Sequence, residues 1–294
     1  MGEIKGCICN SNINMACLKN ILAGLVVIFF HQINAQNSSV EISIGSITGT
    51  ANVLEVDGVN IYYEIYGEGT PLLILHGNGG SAKGRHHMVP ELAKDYKVIL
   101  MDNRCHGKSS CTEELDYTMM ARDANSLMLH LGEEEYTIWG HSDGGIIGLI
   151  LGYEYPGLIS RMLISGANLR PDTTALENKL VEFVNRYEEI KDPKLRKQIK
   201  LMAHYPNIEL ERLKSVDVPV MLMVGDRDAI KIEHTIEIFN ALPKSNLCVL
   251  PGTTHFISSE KPEQIVFWLK ELTKSFSMPS TVDIAEEMAK SLFK

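Results

Sequence analysis

The sequence has few basic residues for its length. Its 294 residues include 28 Lys and Arg against 37 Asp and Glu, which gives a formal charge of −9. Proteins that bind nucleic acid need a cationic surface to neutralise phosphates, so nucleic acid is not an expected partner. Aromatic residues make up only 7% of the chain, but 45% of residues are hydrophobic and 22% charged. This is an ordinary globular composition, which excludes wholesale disorder.

Long hydrophobic runs are also lacking. The apolar segment 21–30 has ten residues, about half of the roughly 20 that span a bilayer as a helix. It follows Lys5 and Lys19 and precedes a polar stretch that ends at Ala35. This order is typical of a secretory signal peptide. We therefore expect residues 1–35 to be removed and the protein to be secreted or periplasmic, with no stable membrane insertion after cleavage.

Cysteine is scarce beyond this leader. Only Cys105, Cys111 and Cys248 remain, and no C-x-x-C or Cys/His spacing of the kind that binds zinc accompanies them. Two alternatives stay open, which are a disulfide between Cys105 and Cys111 and three unpaired thiols. We expect no metal and no organic cofactor, and the sequence leaves the oligomeric state undecided.

The rest of the chain predicts one α/β domain with short additions. Residues 36–50 are small and polar, which is typical of a flexible linker. Strands alternate with helical patterns over residues 51–276, which predicts a mostly parallel sheet covered by helices on both faces. Residues 277–294 form an amphipathic C-terminal helical extension, predicted to pack on the body. The predicted strands lie at residues 53–56, 61–66, 71–75, 97–101, 136–139, 161–165, 218–224 and 246–250.

One connection is too long for this pattern. About fifty residues separate the strand that ends near Gly166 from the strand that begins at Val218, whereas about 2 to 6 residues are usual in such folds. Helical periodicity recurs within this segment. We therefore predict a small helical lid at about residues 170–215.

A candidate nucleophile follows the strand at 136–139. Gly140-His141-Ser142-Asp143-Gly144 matches G-x-S-x-G and precedes an apolar helical pattern. Placed between a strand and a helix, this motif predicts a sharp turn that exposes the serine hydroxyl. Such a hydroxyl becomes a nucleophile only when a base accepts its proton and a third group orients the base.

The two partners are expected in chain order, first an acid and then a histidine, each after a later strand. The strand at 218–224 is followed by Gly225, Asp226, Arg227 and Asp228, and the strand at 246–250 leads to His255. We assign the triad to Ser142, Asp228 and His255, with Asp226 as the alternative acid. The strand at 71–75 ends in a glycine-rich loop, His76 to Gly80.

That loop and the serine turn predict an oxyanion hole. Its donors would be the backbone N–H groups of Asn78 and Asp143. Gly79 would let the backbone approach the substrate. The Asp143 side chain has two open roles, which are binding of a substrate ammonium group through its carboxylate and structural support of the loop.

Together these motifs resemble the α/β-hydrolase fold superfamily over about residues 52–275. The segments Ser142-Asp143-Gly144-Gly145-Ile146 and Gly166-Ala167-Asn168 are similar to the biphenyl hydrolase-like esterases, also called valacyclovir hydrolases, which cleave α-amino acid esters. The resemblance implies an α/β-hydrolase fold, a mostly parallel sheet with a small helical lid, and serine hydrolase activity on a small-molecule ester.

Other functions stay open on sequence grounds. Carbon–carbon bond hydrolysis and perhydrolysis use the same triad, and a non-catalytic relative would only bind a ligand. The loop from Gly77 to Ala82 also fits G-x-G-x-x-A, with Asp102 about twenty residues later, which is the pattern of a dinucleotide site. That interpretation leaves the ordered serine, aspartate and histidine unexplained.

Overall fold

The fold is taken from a computed structural model that describes residues 39–274, 276–278 and 281–293. The predicted signal peptide, 1–35, lies outside the described residues. A nine-stranded sheet forms the centre, with strands β1 to β9 at Val40–Ile44, Ile47–Val56, Val59–Tyr66, Thr70–Leu75, Tyr96–Met101, Tyr136–His141, Ile159–Ser165, Val220–Arg227 and Ser245–Thr254. The spatial order is β1-β2-β3-β5-β4-β6-β7-β8-β9.

Most of the sheet is parallel. The pairs from β5 and β4 through to β8 and β9 are parallel, and the first three strands join antiparallel to one another and to β5. The predicted fold class is confirmed. In the described part of the chain ten α-helices accompany the sheet, α1 to α10 at Val89–Leu92, Tyr117–His130, Asp143–Glu154, Asn178–Val184, Pro193–His204, Leu210–Leu213, Ile232–Ala241, Ile257–Glu260, Pro262–Lys274 and Thr281–Leu292.

The central strands are buried on both faces. Alternate residues of a strand point to opposite faces, so Leu73 and Leu75 of β4 enter one apolar cluster, and Leu72 and Ile74 enter the other. Helices α2 and α3 cover the first face, and α1 and α9 cover the second. This double burial explains why these strands read as continuous apolar runs.

The flexible linker predicted for residues 36–50 is wrong where the structure describes it. Strand β1 pairs with β2 through a tight turn, with Ile44 opposite Ile47 and Gly45 at φ +59°. Ile42, Ile44 and Ile47 pack against the second apolar cluster. The alternating isoleucines carry a strand signal, which the polar residues between them obscure.

The segment predicted as a lid lies between β7 and β8. It contains α4, a 3-10 helix at Tyr187–Glu189, α5 and α6. Helix α5 begins at Pro193, and the Asp192 side chain caps it by accepting a hydrogen bond from the Leu195 amide at 2.7 Å. Polar capping of this kind satisfies an N–H group that has no partner within the helix.

The C-terminal helix α10 differs from the prediction that it packs on the body. Ile284, Met288 and Leu292 are 53%, 57% and 71% exposed, so the apolar stripe faces solvent. In the described part of the chain, no helix combines the length and apolarity that a membrane span requires. Cys105 and Cys111 form a disulfide, which decides the alternative left open by the sequence, and Cys248 is a free thiol.

Candidate active site

Ser142 occupies a strained turn between β6 and α3. Its backbone has φ +55° and ψ −120°, a conformation that non-glycine residues rarely adopt. The two glycines of the motif are required by contact. A Cβ atom on Gly140 would lie 2.2 Å from the Gly144 carbonyl oxygen, and one on Gly144 would lie 2.1 Å from the Leu75 carbonyl oxygen. The G-x-S-x-G spacing therefore follows from how closely the turn approaches its own helix and β4.

The predicted Ser, His and Asp side chains meet at the carboxyl edge of the sheet. His255 follows β9, and its Nε2 lies 2.9 Å from the Ser142 Oγ. Its Nδ1 lies 2.6 Å from Oδ1 of Asp228, which follows the turn at the end of β8. With Nδ1–H donating to the carboxylate, Nε2 is the free acceptor for the serine proton. The Asp228 side chain is fully buried, which shields this hydrogen bond from water.

The alternative acid, Asp226, lies elsewhere. Its Oδ1 accepts a hydrogen bond from the Thr253 amide at 3.2 Å, so it braces the loop that carries the histidine. The Oδ1 of Asp228 also accepts from the Ile230 amide at 2.9 Å. This second bond fixes the carboxylate facing His255, so of the two acids Asp228 is the one that contacts the imidazole.

Asp143 supports the predicted oxyanion loop rather than facing the cavity. Its side chain is buried, with Oδ2 accepting from the Asn78 side-chain amide at 3.0 Å and Oδ1 from the Tyr117 hydroxyl at 2.9 Å. Burial raises the pKa of this carboxyl group, and the two hydrogen bonds oppose the rise. Because both oxygens are engaged, the alternative in which this side chain binds a substrate ammonium group does not fit the geometry.

The predicted oxyanion donors belong to two segments that meet at Ser142, the first turn of α3 and the loop after β4. The Asp143 N–H is at the first position of α3, where no acceptor exists within the helix. Asn78 lies in the loop after β4, and the neighbouring Gly77 packs so closely that a Cβ atom there would lie 2.9 Å from the Ser142 Cβ. Gly79, with φ +67°, lines the cavity beside them.

Gln198 is a site residue that the sequence did not reveal. It lies on α5, where its carbonyl accepts from the Asn78 side chain at 3.0 Å and its side-chain amide donates to the Cys105 carbonyl at 2.6 Å. The lid helix is therefore tied to the oxyanion loop. No local signal marks this residue, because its partners lie about 90 to 120 positions away along the chain.

A cavity of about 350 Å³ opens onto the serine and histidine. This volume is near the lower end of the range for small-molecule sites, about 300 to 1,000 Å³. Ile199 and Met202 of the lid and Phe256 beside the histidine provide apolar walls, and Arg85 provides the single permanent charge among the lining residues. None of these four was a predicted site residue.

Two buried histidines beside the site, His76 and His141, have lowered pKa values. Burial lowers the pKa of His141 well below its usual value, and the nearby His255 and Arg85 lower it further. Burial, together with the neighbouring His106, lowers the pKa of His76 to about 3. The His76 Nδ1–H donates to the Gly77 carbonyl at 2.7 Å, and Nε2 accepts from the Asn103 amide at 3.1 Å. Protonating Nε2 would remove that acceptor.

This burial makes stability depend on pH. An unfolded histidine has a pKa near 6.5, so between about pH 6.5 and pH 3 the unfolded chain binds a proton that folded His76 does not. The stability it contributes is complete above pH 6.5 and falls as the pH drops. We expect His76→Gln to reduce the slope of the unfolding free energy against pH, between pH 6.5 and 4. The reduction should be up to about 1.4 kcal/mol per pH unit, which is the value for one proton. Urea titrations at several pH values measure this slope.

The matched control is His204→Gln, which makes the same substitution at an exposed imidazole. Burial raises the pKa values of three carboxyl groups, those of Asp102, Asp123 and Asp143. These groups contribute a slope of opposite sign, but they do so equally in wild type and in both variants, so their contribution cancels in the comparison. An identical slope in His76→Gln and wild type would contradict the assignment of a buried neutral imidazole.

The dinucleotide interpretation does not fit the structure. Asp102, which would have to bind a ribose, is buried, and its carboxylate accepts from the backbone amides of Ala82 at 2.6 Å and Lys108 at 2.7 Å. The glycine-rich loop leads into a 3-10 helix at Ala82–Met88 instead of the α-helix that such a site requires. Within the described residues, no group of three His, Cys, Asp or Glu side chains is arranged to hold a metal ion.

Comparisons with known proteins agree with this architecture. Residues 70–190 match the family model described as alpha/beta hydrolase fold. The chain is 33% identical over 113 residues to the uncharacterized hydrolase YraK of Bacillus subtilis, covering 37% of this chain and 42% of YraK. It is 34% identical over 128 residues to the mouse serine hydrolase BPHL, covering 40% of this chain and 43% of BPHL. The chain thus spans less than half the length of these two relatives.

A solved structure extends the likeness of the fold over most of the chain. The crystal structure of MGS-M2, an α/β hydrolase enzyme from a deep-sea metagenome library of the Medee basin, superposes with a TM-score of 0.69 at 18% identity. The match covers 78% of this chain and 99% of MGS-M2. Other matched proteins are named as hydrolases, esterases or lipases. By its sheet order, its serine turn and these matches, the chain has the α/β-hydrolase fold.

Proposed function

We propose that the protein is a serine hydrolase that cleaves a small carboxylic ester through an acyl-enzyme intermediate. The observation that carries the proposal is the continuous set of hydrogen bonds from Asp228 through His255 to Ser142, which opens onto a cavity. The names of the relatives support the same reaction class. An amide could be cleaved by the same steps.

In the first half of the reaction, the Ser142 hydroxyl attacks the ester carbonyl carbon while its proton moves to Nε2 of His255. The buried Asp228 carboxylate holds the imidazole in the tautomer that accepts this proton and then stabilises the imidazolium. The Asn78 and Asp143 N–H groups stabilise the developing oxyanion, and each such donor is worth about 2.7 to 4 kcal/mol where removal has been measured.

In the second half, the imidazolium gives its proton to the leaving alcohol, and the carbon–oxygen bond of the ester breaks. Water then enters, His255 accepts one of its protons, and the hydroxide attacks the acyl carbon. The Ser142 oxygen recovers a proton and leaves as the hydroxyl group. The neutral state of the neighbouring His141, whose ring centroid lies 4.9 Å from that of His255, avoids placing another imidazolium beside the one that forms.

Covalent labelling tests the proposal without knowledge of the substrate. We expect a fluorophosphonate probe to label the full chain, and mass spectrometry of the digested protein to find the adduct on Ser142. The Ser142→Ala variant should not be labelled. The control variant is Ser110→Ala, which removes a serine in the loop after β5, outside the cavity, and should be labelled like wild type. A folded wild-type protein that resists the probe would favour a ligand-binding protein without catalysis.

A further inference from the structure

Arg85 is a partly buried cation in the cavity that no carboxylate compensates. It lines the same cavity as Ser142 and His255, and its Nε is buried without a hydrogen-bond acceptor. In the described part of the chain it takes part in no ion pair within 4.0 Å. Arg104 shows the usual arrangement, with Nε and Nη2 bonded to both oxygens of Asp123 at 2.6 and 2.5 Å. Buried charges are normally paired in this way.

The guanidinium is held in a fixed position. Its Cζ lies 5.3 Å from the centroid of the Trp139 ring, and Nη1 donates to the Ser258 Oγ at 3.0 Å. The 3-10 helix that carries it starts where the buried Asp102 carboxylate accepts the Ala82 amide. Nη2 makes no hydrogen bond within the described residues, so its N–H donors are available. A preorganised arginine with free donors suits a planar carboxylate.

The charge of the cavity is positive as a result. The lining residues include no Asp or Glu, the Asp228 side chain is fully buried behind His255, and both oxygens of Asp143 are engaged within the protein. Desolvation lowers the pKa of Arg85 to about 10, which leaves the group charged at neutral pH. A partly buried charge without a carboxylate partner is costly, and an anionic ligand would offset that cost.

We propose that Arg85 binds a carboxylate of the substrate, so that the preferred esters carry a free carboxylate group in addition to the bond that is cleaved. The identity of the cleaved bond rests on the proposed function, whereas the binding of an anion does not. The small cavity with apolar walls at Ile199 and Met202 fits a short hemi-ester of a dicarboxylic acid. A substrate bearing an α-ammonium group would meet the guanidinium instead of a free carboxylate.

Matched ester pairs test this proposal in the wild-type protein. The substrates are the methyl hemi-esters of succinate, glutarate and adipate, each compared with the methyl ester of the corresponding monoamide, in which a neutral carboxamide replaces the carboxylate. We expect kcat/KM to be about 10- to 100-fold higher for the best hemi-ester than for its monoamide, as for a hydrogen bond to a charged group. Equal or lower values for all three hemi-esters would overturn the proposal.

Variants locate the preference at Arg85. Arg85→Met keeps an apolar stem against Trp139 and should reduce the ratio of the two kcat/KM values to near one, whereas Arg85→Lys should retain part of it. The exposed Arg186, which pairs with Glu189, supplies the control Arg186→Met, which should keep the wild-type ratio. If Arg85→Met lowered turnover of both esters equally and also lowered the melting temperature, the residue would be only a structural link between Trp139 and Ser258.

A binding measurement separates this proposal from the proposed function. In the Ser142→Ala variant, calorimetry should show at least tenfold tighter binding of a hemi-ester than of its monoamide, and the difference should vanish in the double variant Ser142→Ala/Arg85→Met. This result would support the anion site even if wild type turned over no ester and resisted the fluorophosphonate. Labelling and ester turnover without any preference for the anion, in rate or in binding, would reject the anion site and leave the hydrolase function intact.

Discussion

Ser142→Ala is expected to lower kcat for p-nitrophenyl acetate by about 10⁴-fold or more, because it removes the attacking oxygen while leaving the rest of the site in place. The residual rate should match that of the oxyanion hole and the cavity acting without a nucleophile. Stopped assays of the purified variant against wild type measure this ratio. Indistinguishable rates in the two proteins would mean that hydrolysis of this ester does not use Ser142.

The same position allows a stability control. Alanine must adopt the same φ of +55° as serine, so Ser142→Ala should keep the wild-type melting temperature. Glycine adopts this conformation without steric cost. Ser142→Gly lacks the hydroxyl and should be inactive, but it should be more stable than Ser142→Ala by about 1 kcal/mol. A Ser142→Gly variant less stable than Ser142→Ala would show that the backbone strain at the serine turn is not an energetic cost.

Asp228→Asn is expected to lower kcat by about 10⁴-fold, the size of effect seen when the orienting carboxylate of such a triad becomes an amide. The amide nitrogen can donate to Nδ1 of His255, which moves the ring proton to Nε2 and removes the acceptor for the serine proton. The comparison is kcat for the same ester in wild type and variant, after circular dichroism has shown that both are folded.

Asp226→Asn is the matched control, since it makes the same chemical change two residues earlier, at the end of β8. Its carboxylate contacts the Thr253 amide and not the imidazole, so we expect less than about a tenfold loss. The reverse order of effects, with the larger loss in Asp226→Asn, would show that the acid facing His255 in solution is not Asp228.

The sequence predicted the elements whose signals are local. The apolar runs of the buried strands, the G-x-S-x-G turn and the residues directly after β8 and β9 are readable because the carboxyl ends of parallel strands meet at one edge. This rule brings Ser142, Asp228 and His255 together although 113 positions separate the first from the last. The order of the strands in the sheet is enough to place these three residues close together at that edge.

Interactions between distant segments were not predictable in this way. The bonds from Asn78 to Asp143 and Gln198 span 65 and 120 positions, and nothing in the local pattern marks either partner. Arg85 lies in a 3-10 helix among other basic residues, where a sequence pattern cannot distinguish a charge that faces bulk solvent from one that lines the cavity. Strand β1 does have a local signal, because its isoleucines alternate as in a strand. It was not predicted because small polar residues around them are typical of a linker.

The sheet carries the reacting groups, whereas the segment between β7 and β8 carries part of the cavity wall, and this separation is useful for engineering. The reacting groups follow strand ends, and Gly140 and Gly144, which flank the serine turn, tolerate no added carbon. Ile199 and Met202, by contrast, belong to α5, which contributes nothing to strand pairing. Libraries that vary these two positions should therefore change acyl-chain preference while leaving the chemical step intact, provided that Gln198, which anchors the helix, is kept.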